Sequence, residues 1–340
     1  MNHGNLDTFE ETESSRDSFS RCRIVHLHSS LGVYGAERWT LALIRHLDQR
    51  EFPSFVVSIG TSPGSDLFYH LLISNKLDAV HIPLPGKFNL KIILELRRIL
   101  QKQGTCVLHT HGFKADVFGY FVTRFLPVKA ISTIHGWSAD EGLRIRFYEV
   151  ISRIFLKKFD RVYALSPALF QGLLDFGFIP SKLGFILNAV DLSGIEFHFN
   201  DRNPSEPLRV LYAGRLCRSK GVLDLIRALG QFGIDELVSL KLLGSGPART
   251  EAEALSSNLG LTHRVNFIGA VPDITPYLRE SNVLVLPSYA EGIPRVVMEA
   301  FAAGVPVIGT AIPGIRELIE HELSGLLVPI ADPLALASAL

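Results

Sequence analysis

Short apolar runs of buried-strand length alternate with amphipathic helical runs along most of the chain, and the alternation restarts once after a polar lapse. That order admits few folds. In the first half, Arg23 to Leu27, Phe55 to Ile59, Cys106 to Thr110, Ala130 to Ile134, Val162 to Leu165 and Leu183 to Leu187 read as strands. Helical spacing occupies Trp39 to Leu47, Leu67 to Ile73 and Leu90 to Gln101. Between 193 and 207 the pattern gives way to Asn200, Asp201, Asn203, Pro204, Ser205 and Pro207, the composition of a linker. Strand-like runs then resume at Arg209 to Ala213, Leu240 to Leu243, Val265 to Ile268, Val283 to Leu286, Val305 to Ile308 and Gly325 to Val328, with helices at Val222 to Leu229 and Ile293 to Ala302. Repeated βα units require a parallel sheet covered on both faces. The expected class is therefore α/β: a disordered polar leader over 1–20, a doubly wound domain over 21–192, the linker over 193–207, and a second doubly wound domain over 208–340. The natural ligand site is the cleft between the two domains.

Composition removes several classes of function. Across 340 residues the formal net charge is +0, which gives no electrostatic footprint for nucleic acid. Cys22, Cys106 and Cys217 are too few and too scattered for a disulfide framework or a paired-cysteine metal site, in keeping with reducing cytosol. No apolar stretch has the length of a membrane span, and the first twenty residues lack the apolar segment of a signal peptide. A cytoplasmic protein is expected.

The most informative local signal is Glu291-Gly292-Ile293-Pro294-Arg295-Val296-Val297-Met298-Glu299. It follows the apolar run ending at Leu286, and Pro294 suits the first turn of a helix, where its missing N–H costs little. Glu291 is expected in the loop and Glu299 inside the helix, both beside the carboxyl end of a strand. Two acids there suit a ligand rich in hydroxyls; an exposed loop glutamate followed by an ordinary helical one is the competing reading.

Glycine turns recur at the same sheet edge. Gly214-Arg215-Leu216-Cys217-Arg218-Ser219-Lys220-Gly221 combines close backbone approach with a forked and a point-like cation, a mixture suited to a diphosphate, and the helix from Val222 adds its positive end. A solvated basic loop has the same composition. Gly244-Ser245-Gly246 forms a second turn, with only part of a dinucleotide fingerprint. In the first half, Gly32 and Gly35 lie in the turn after the first strand, where they bring amides toward a ligand or simply shape the turn. The chain contains no Gly-x-x-x-x-Gly-Lys-Ser/Thr, which disfavours a P-loop nucleotidase.

His109-Thr110-His111-Gly112 and His135-Gly136 each end a strand. His109 and His111 share a face if extended, a spacing compatible with a metal, but no acid or cysteine stands nearby and no Asp-x-Asp occurs; no metal is expected. His135, with a small residue beside it to admit substrate, is the better functional candidate.

Taken in order, these segments resemble the retaining glycosyltransferases of family 4, which have the GT-B fold: two Rossmann-like domains facing across a cleft. The resemblance rests on Gly35-Ala36-Glu37-Arg38, the His111 and His135 segments, Asn188-Ala189-Val190-Asp191, Arg215, Lys220, Gly244-Ser245-Gly246, and Glu291 with Glu299. It implies transfer of a sugar from a UDP- or GDP-sugar to a hydroxyl acceptor, without cofactor or essential metal. It implies further that Arg215 and Lys220 neutralise the leaving diphosphate, that Glu291 with Gly292 and Ile293 binds donor-sugar hydroxyls, that Glu299 holds the ribose, and that His135 contacts the sugar near the reacting carbon. Gly214, Gly244, Gly246 and Pro294 line the donor site on this reading, with Gly32 and Gly35 near the phosphates or acceptor. Tyr34 and Ala189 stand where many relatives have glycine, and with the sequence running to Leu340 the resemblance leads to the expectation that the helix with which relatives usually cross back to the first domain is lacking.

Arg144, Arg146, Arg153, Lys157 and Lys158 mingle with apolar residues between 143 and 161, a pattern shared by helices that rest on anionic lipid and by packed helices with a solvated basic side. The acceptor expected from the resemblance is a saccharide or lipid-linked saccharide, in surface polysaccharide or glycolipid synthesis at the inner membrane face. A sugar-nucleotide epimerase and a non-catalytic nucleotide-sugar-binding subunit are the rival readings.

Overall fold

The computed structural model describes residues 22–29, 33, 35–60, 67–83, 90–136, 143–198, 206–233 and 238–340. The expected leader at 1–20, Gly32 and residues 199–205 of the expected linker lie outside the described residues.

The first half contains β1 (Arg23–His28), α1 (Gly35–His46), β2 (Ser54–Gly60), α2 (Leu67–Ser74), β3 (Ala79–Pro83), α3 (Leu90–Lys102), β4 (Thr105–His111), α4 (Phe113–Thr123), β5 (Lys129–Ile134), α5 (Leu143–Leu156), β6 (Arg161–Ala164), α6 (Pro167–Asp175) and β7 (Leu183–Phe185). The second contains β8 (Leu208–Ala213), α7 (Val222–Leu229), β9 (Val238–Leu243), α8 (Arg249–Asn258), β10 (Val265–Gly269), α9 (Thr275–Arg279), β11 (Val283–Leu286), α10 (Arg295–Ala302), β12 (Val307–Thr310), α11 (Pro313–Arg316), β13 (Gly325–Val328) and α12 (Pro333–Ala339). Two parallel sheets result, ordered β3-β2-β1-β4-β5-β6-β7 and β10-β9-β8-β11-β12-β13. Each reverses its winding once, between β1 and β4 in the first sheet and between β8 and β11 in the second. Loops leaving those four strands open onto the crevices where doubly wound sheets hold ligands.

Burial explains the strand composition. All four residues of β11 are buried, because helices cover both faces of a parallel sheet. α7 buries seven of its eight residues, Asp224 included, since β8, α8 and α12 leave it almost no solvent face. Full burial of a side chain such as Leu225 is worth roughly 1.5–3 kcal/mol. At the start of α6, Ser166 Oγ accepts the amide of Leu169 at 3.2 Å, and Pro167 occupies the first turn.

On the α4 side of the first sheet, Asp116 is buried yet satisfied. It accepts hydrogen bonds from Thr110 Oγ1 at 2.6 Å, Ser132 Oγ at 2.9 Å and Ser152 Oγ at 2.8 Å, tying β4, β5 and α5 together. Burial raises its pKa to about 6, against the opposing pull of the three hydroxyls.

Some boundaries differ from the sequence expectation. β3 is an additional edge strand, its apolar run interrupted by His81 and closed by Pro83. β12 begins at Val307 rather than Val305, because Pro306 has no N–H to give the ladder. α1 begins at Gly35, so Gly35 to Arg38 form its first turn.

Candidate active site

The loops after β8 and β11 meet at the switch point of the second sheet. A 3₁₀ turn over Arg218–Lys220 ends on Gly221, whose φ of +65° is left-handed and whose missing Cβ would lie 1.9 Å from the carbonyl oxygen of Pro287. No other residue type fits. The contact clamps one loop onto the other, and the Tyr289 amide adds a 2.7 Å hydrogen bond to the Ser219 carbonyl.

This clamp sets Lys220 against Glu291. Lys220 Nζ lies 2.7 Å from Glu291 Oε2, while Ser288 Oγ donates to Oε1 at 2.7 Å. Ser288 is itself anchored, its carbonyl accepting from Thr310 Oγ1 of β12. Both carboxylate oxygens are thus held, with the Lys220 side chain 25% exposed and that of Glu291 12% exposed. Tyr212, fully buried on β8, donates its hydroxyl to the Arg215 carbonyl at 2.8 Å and fixes the start of the same loop. Burial pushes that phenol well up, so it stays a donor.

Gly214, Gly244 and Gly246 occupy two interlocked turns. Cβ atoms at Gly244 and Gly246 would strike the carbonyl oxygens of Gly214 and Leu216 at 1.9 and 2.3 Å, and Leu216 N donates to the Ser245 carbonyl at 2.9 Å. Arg215 is exposed on the first of these turns. Arg218 is paired with Glu251 at 3.0 Å.

The 291–295 segment also touches the first half of the molecule. Asn188 Nδ2 donates to the Ile293 carbonyl at 2.7 Å, and the Gly292 backbone packs against the carbonyl of His135. Arg295 Nη1 donates to the Ala189 carbonyl at 2.9 Å, while Nη2 lies 3.5 Å from Glu299 Oε1. The Arg295 side chain is 11% exposed, and its buried Nε has no hydrogen-bond partner among the described residues. Burial, with Arg38 nearby, lowers its pKa; Glu299 and Asp191 oppose the shift. Arg38 adds a second bridge, donating to the Pro272 carbonyl at 2.8 Å.

On the opposite wall, His135 follows directly after β5. Burial first, then the Arg295 charge, lowers its pKa to about 3, so its ring is neutral at physiological pH. Its Nε2 is 3.1 Å from His111 Nδ1, and Trp39 of α1 sits edge-on to it at 5.3 Å between centroids. Gly35 reaches the same crevice: a Cβ there would lie 4.0 Å from Arg295 Cδ.

The structure therefore brings together Lys220, Glu291, Gly292, Ile293, Pro294, His135 and Gly35, with Glu299 one helical turn from Arg295 on α10 and buried to 8% exposure. Arg295 went unassigned in the sequence reading, although its four-residue spacing from Glu299 on a helix marked the pair. The β1–β4 register sets a third histidine, His26, beside His109, a neighbour that the spacing of His109 and His111 does not reveal. The basic segment is partly engaged in packing. Arg153 and Lys157 lie over the Phe176 ring, while Phe147, Val150 and Ile154 of α5 are exposed. Among the described residues no helix is long and apolar enough to cross a membrane.

Comparison with known proteins follows this geometry. Residues 33–193 match the family model for Glycosyltransferase Family 4, and residues 207–340 match the model for Glycosyl transferases group 1. An uncharacterized glycosyltransferase of Methanocaldococcus jannaschii is 36% identical over 252 residues, 68% of this chain and 64% of that protein, so the match spans less than two thirds of its length. The UDP-Gal:alpha-D-GlcNAc-diphosphoundecaprenol alpha-1,3-galactosyltransferase of Escherichia coli is 23% identical over 93% of this chain and 86% of its own. Among solved structures, Anabaena HepE in complex with UDP and glucose superposes with a TM-score of 0.80 at 21% identity, covering 93% of this chain and 88% of that one. It shares the two-domain GT-B fold.

Proposed function

The chain belongs to the glycosyl transferases of group 1 and family 4, and from that membership we propose that it moves a sugar from a nucleotide-sugar donor to a hydroxyl acceptor with retention at the anomeric carbon. The observation that carries this reading is the Lys220–Glu291 pair, fixed at 2.7 Å where the second sheet reverses its winding. There a cation and a hydroxyl-binding carboxylate stand side by side, as a sugar diphosphate requires.

In the reaction, the bond between the anomeric carbon and the donor phosphate oxygen breaks as the acceptor oxygen bonds to that carbon. Negative charge builds on the departing diphosphate. Lys220 and Arg215 neutralise it, aided by the N-terminal end of α7, and no metal is required for that task. Glu291 receives sugar hydroxyls, with the Gly292 and Ile293 amides beside it, and Glu299 receives the ribose. Because Lys220 and Ser288 already engage both Glu291 oxygens, that carboxylate serves as a hydrogen-bond acceptor rather than a nucleophile. The departing phosphate takes the acceptor proton on the same face, which accounts for retention without a covalent intermediate on the protein. Neutral His135 contacts the sugar by hydrogen bonding without adding charge.

The name of the Escherichia coli relative, with its UDP-galactose donor and diphosphoundecaprenol-linked acceptor, and the UDP and glucose in the HepE structure favour a UDP-sugar and a lipid-linked saccharide. Such an acceptor places the enzyme at the cytoplasmic face of a membrane, in surface polysaccharide or glycolipid synthesis, with the exposed apolar row on α5 available for peripheral contact. A thermal-shift panel of UDP, GDP, ADP and their sugars tests the donor directly, since a ligand selective for the native state raises apparent stability. UDP and one UDP-sugar are expected to raise the melting temperature; a panel without any shift contradicts the proposal.

A further inference from the structure

Behind His135, four histidines emerge from one face of the first sheet. His26 and His28 alternate along β1 and His109 and His111 along β4, and the parallel register pairs His26 with His109 and His28 with His111. The period of two sends all four side chains to the α1 side, where Trp39 and Thr40 cover them. His26, His109 and His111 are each 5% exposed or less, and one nitrogen from each lies within 4.8 Å of the other two. No carboxylate or thiol joins this group among the described residues.

Two details distinguish the trio from ordinary core histidines. His26 has no outside anchor: its Nε2 is buried without a hydrogen-bond partner among the described residues, an uncommon state for a polar atom in an interior, and the ring's hydrogen-bonding contact is on the cluster side, through Nδ1. The other two rings are oriented from outside, as metal-bound imidazoles are: His109 Nε2 is 2.8 Å from Thr133 Oγ1, and His111 Nδ1 is 3.1 Å from His135 Nε2. Each contact occupies one nitrogen and leaves the other facing the cluster, where His111 Nε2 also lies 3.4 Å from Thr40 Oγ1. The 3.5 Å between His26 Nδ1 and His111 Nε2 is close to the ~3.4 Å separating two nitrogens on one tetrahedral ion with bonds of about 2.0–2.1 Å.

We propose that His26, His109 and His111 form a binding site for a divalent transition-metal ion of the Zn²⁺ or Co²⁺ class. Three imidazoles without hard oxygen ligands select such ions over Mg²⁺ or Ca²⁺. The site is built on strands of the first sheet and does not involve Lys220, Arg215 or the diphosphate loops. Its effect on transfer runs through one contact: an ion on His111 Nε2 fixes Nδ1 as the N–H donor toward His135 Nε2, which sets the tautomer of His135.

The test uses full-length, tag-free protein stripped with chelator and titrated with Co²⁺. The expected result is one equivalent bound, with the visible ligand-field bands of a tetrahedral nitrogen site, displaced by Zn²⁺ and unaffected by excess Mg²⁺. His26→Gln and His109→Gln are each expected to weaken binding by at least ~10-fold, the lower bound for loss of even an outer hydrogen-bonding partner. Substoichiometric uptake by the wild type overturns the proposal without recourse to any variant. So does one equivalent bound with unchanged affinity in a folded His26→Gln/His109→Gln double variant, which assigns the ion to surface histidines.

Discussion

Lys220 Nζ sits 2.7 Å from Glu291 Oε2, joining the loops that leave two neighbouring strands on either side of the reversal in the second sheet. Neither residue reaches that position by itself. Gly221 must be left-handed for Lys220 to approach, and Ser288 must hold the other carboxylate oxygen. A pair fixed in this way is ready for a ligand that is anionic at one end and hydroxyl-rich at the other.

The two partners are expected to divide their effects on donor binding. Losing a charge-assisted contact costs about 1.5–3 kcal/mol, so Lys220→Ala should weaken UDP by roughly 10- to 100-fold. Glu291→Gln should leave UDP binding within about twofold, while abolishing the difference between UDP and the UDP-sugar. Calorimetric titration of both variants with both ligands checks this division. Equal losses for UDP in the two variants would refute the separation into diphosphate and sugar contacts.

Gly221→Ala should destabilise the second half of the molecule. A left-handed non-glycine residue costs on the order of 1–3 kcal/mol, and here the new Cβ also meets the Pro287 carbonyl at 1.9 Å. Chemical denaturation is expected to show a loss of at least ~2 kcal/mol, with donor affinity falling as the clamp between the loops opens. Gly260, with a similar φ of +70° but no atom within 4 Å, is the control and should tolerate alanine better.

Asp116 makes stability depend on pH in a direction opposite to that of most carboxylates. Its pKa rises from 3.8 to about 6 in the fold, so between those values the native state holds a proton that the unfolded chain has released. Its contribution to stability is therefore fully present below the unfolded value and is lost as pH rises toward 6, amounting to about 3 kcal/mol. In Asp116→Asn this slope should vanish. Denaturation midpoints of the two proteins between pH 4 and pH 7 provide the comparison, and parallel curves would show that Asp116 does not titrate as described.

Arg295 ties α10 to the first half through the Ala189 carbonyl and lies in the crevice near His135. Arg295→Met keeps the apolar stem and removes the guanidinium. A drop in kcat/KM of roughly tenfold or more is expected, with little change in UDP affinity. Unchanged kcat/KM would make Arg295 a packing residue only.

The parallel sheets were legible from the periodicity, because β strands such as Val283 to Leu286 must be apolar on both faces and few other folds require that. Glu291 and Glu299 were legible for a related reason: proline at 294 and the preceding strand set the helix start to within two residues, at Ile293 against the observed Arg295, with Pro294 as the extended cap. Other features depend on contacts between distant segments. β3 was interrupted by His81 and closed by Pro83, so it did not separate from its loop. The bond of Ser288 to Glu291 gave no periodic signal, and Arg295 acquires its place only when α10 meets Ala189. His26 and His28 drew no notice in the sequence, because their proximity to His109 and His111 depends on β1 and β4 being neighbours across the sheet reversal, which periodicity does not specify.

The most direct measurement of the central claim is sugar transfer itself, followed as acceptor-dependent release of UDP from a UDP-sugar by purified wild type, Lys220→Ala and Glu291→Ala. Turnover should fall by ~10²-fold or more in each variant, as for loss of a group that stabilises the transition state, while both proteins remain folded. Wild-type turnover in both variants would contradict the assignment of this pair to the reaction.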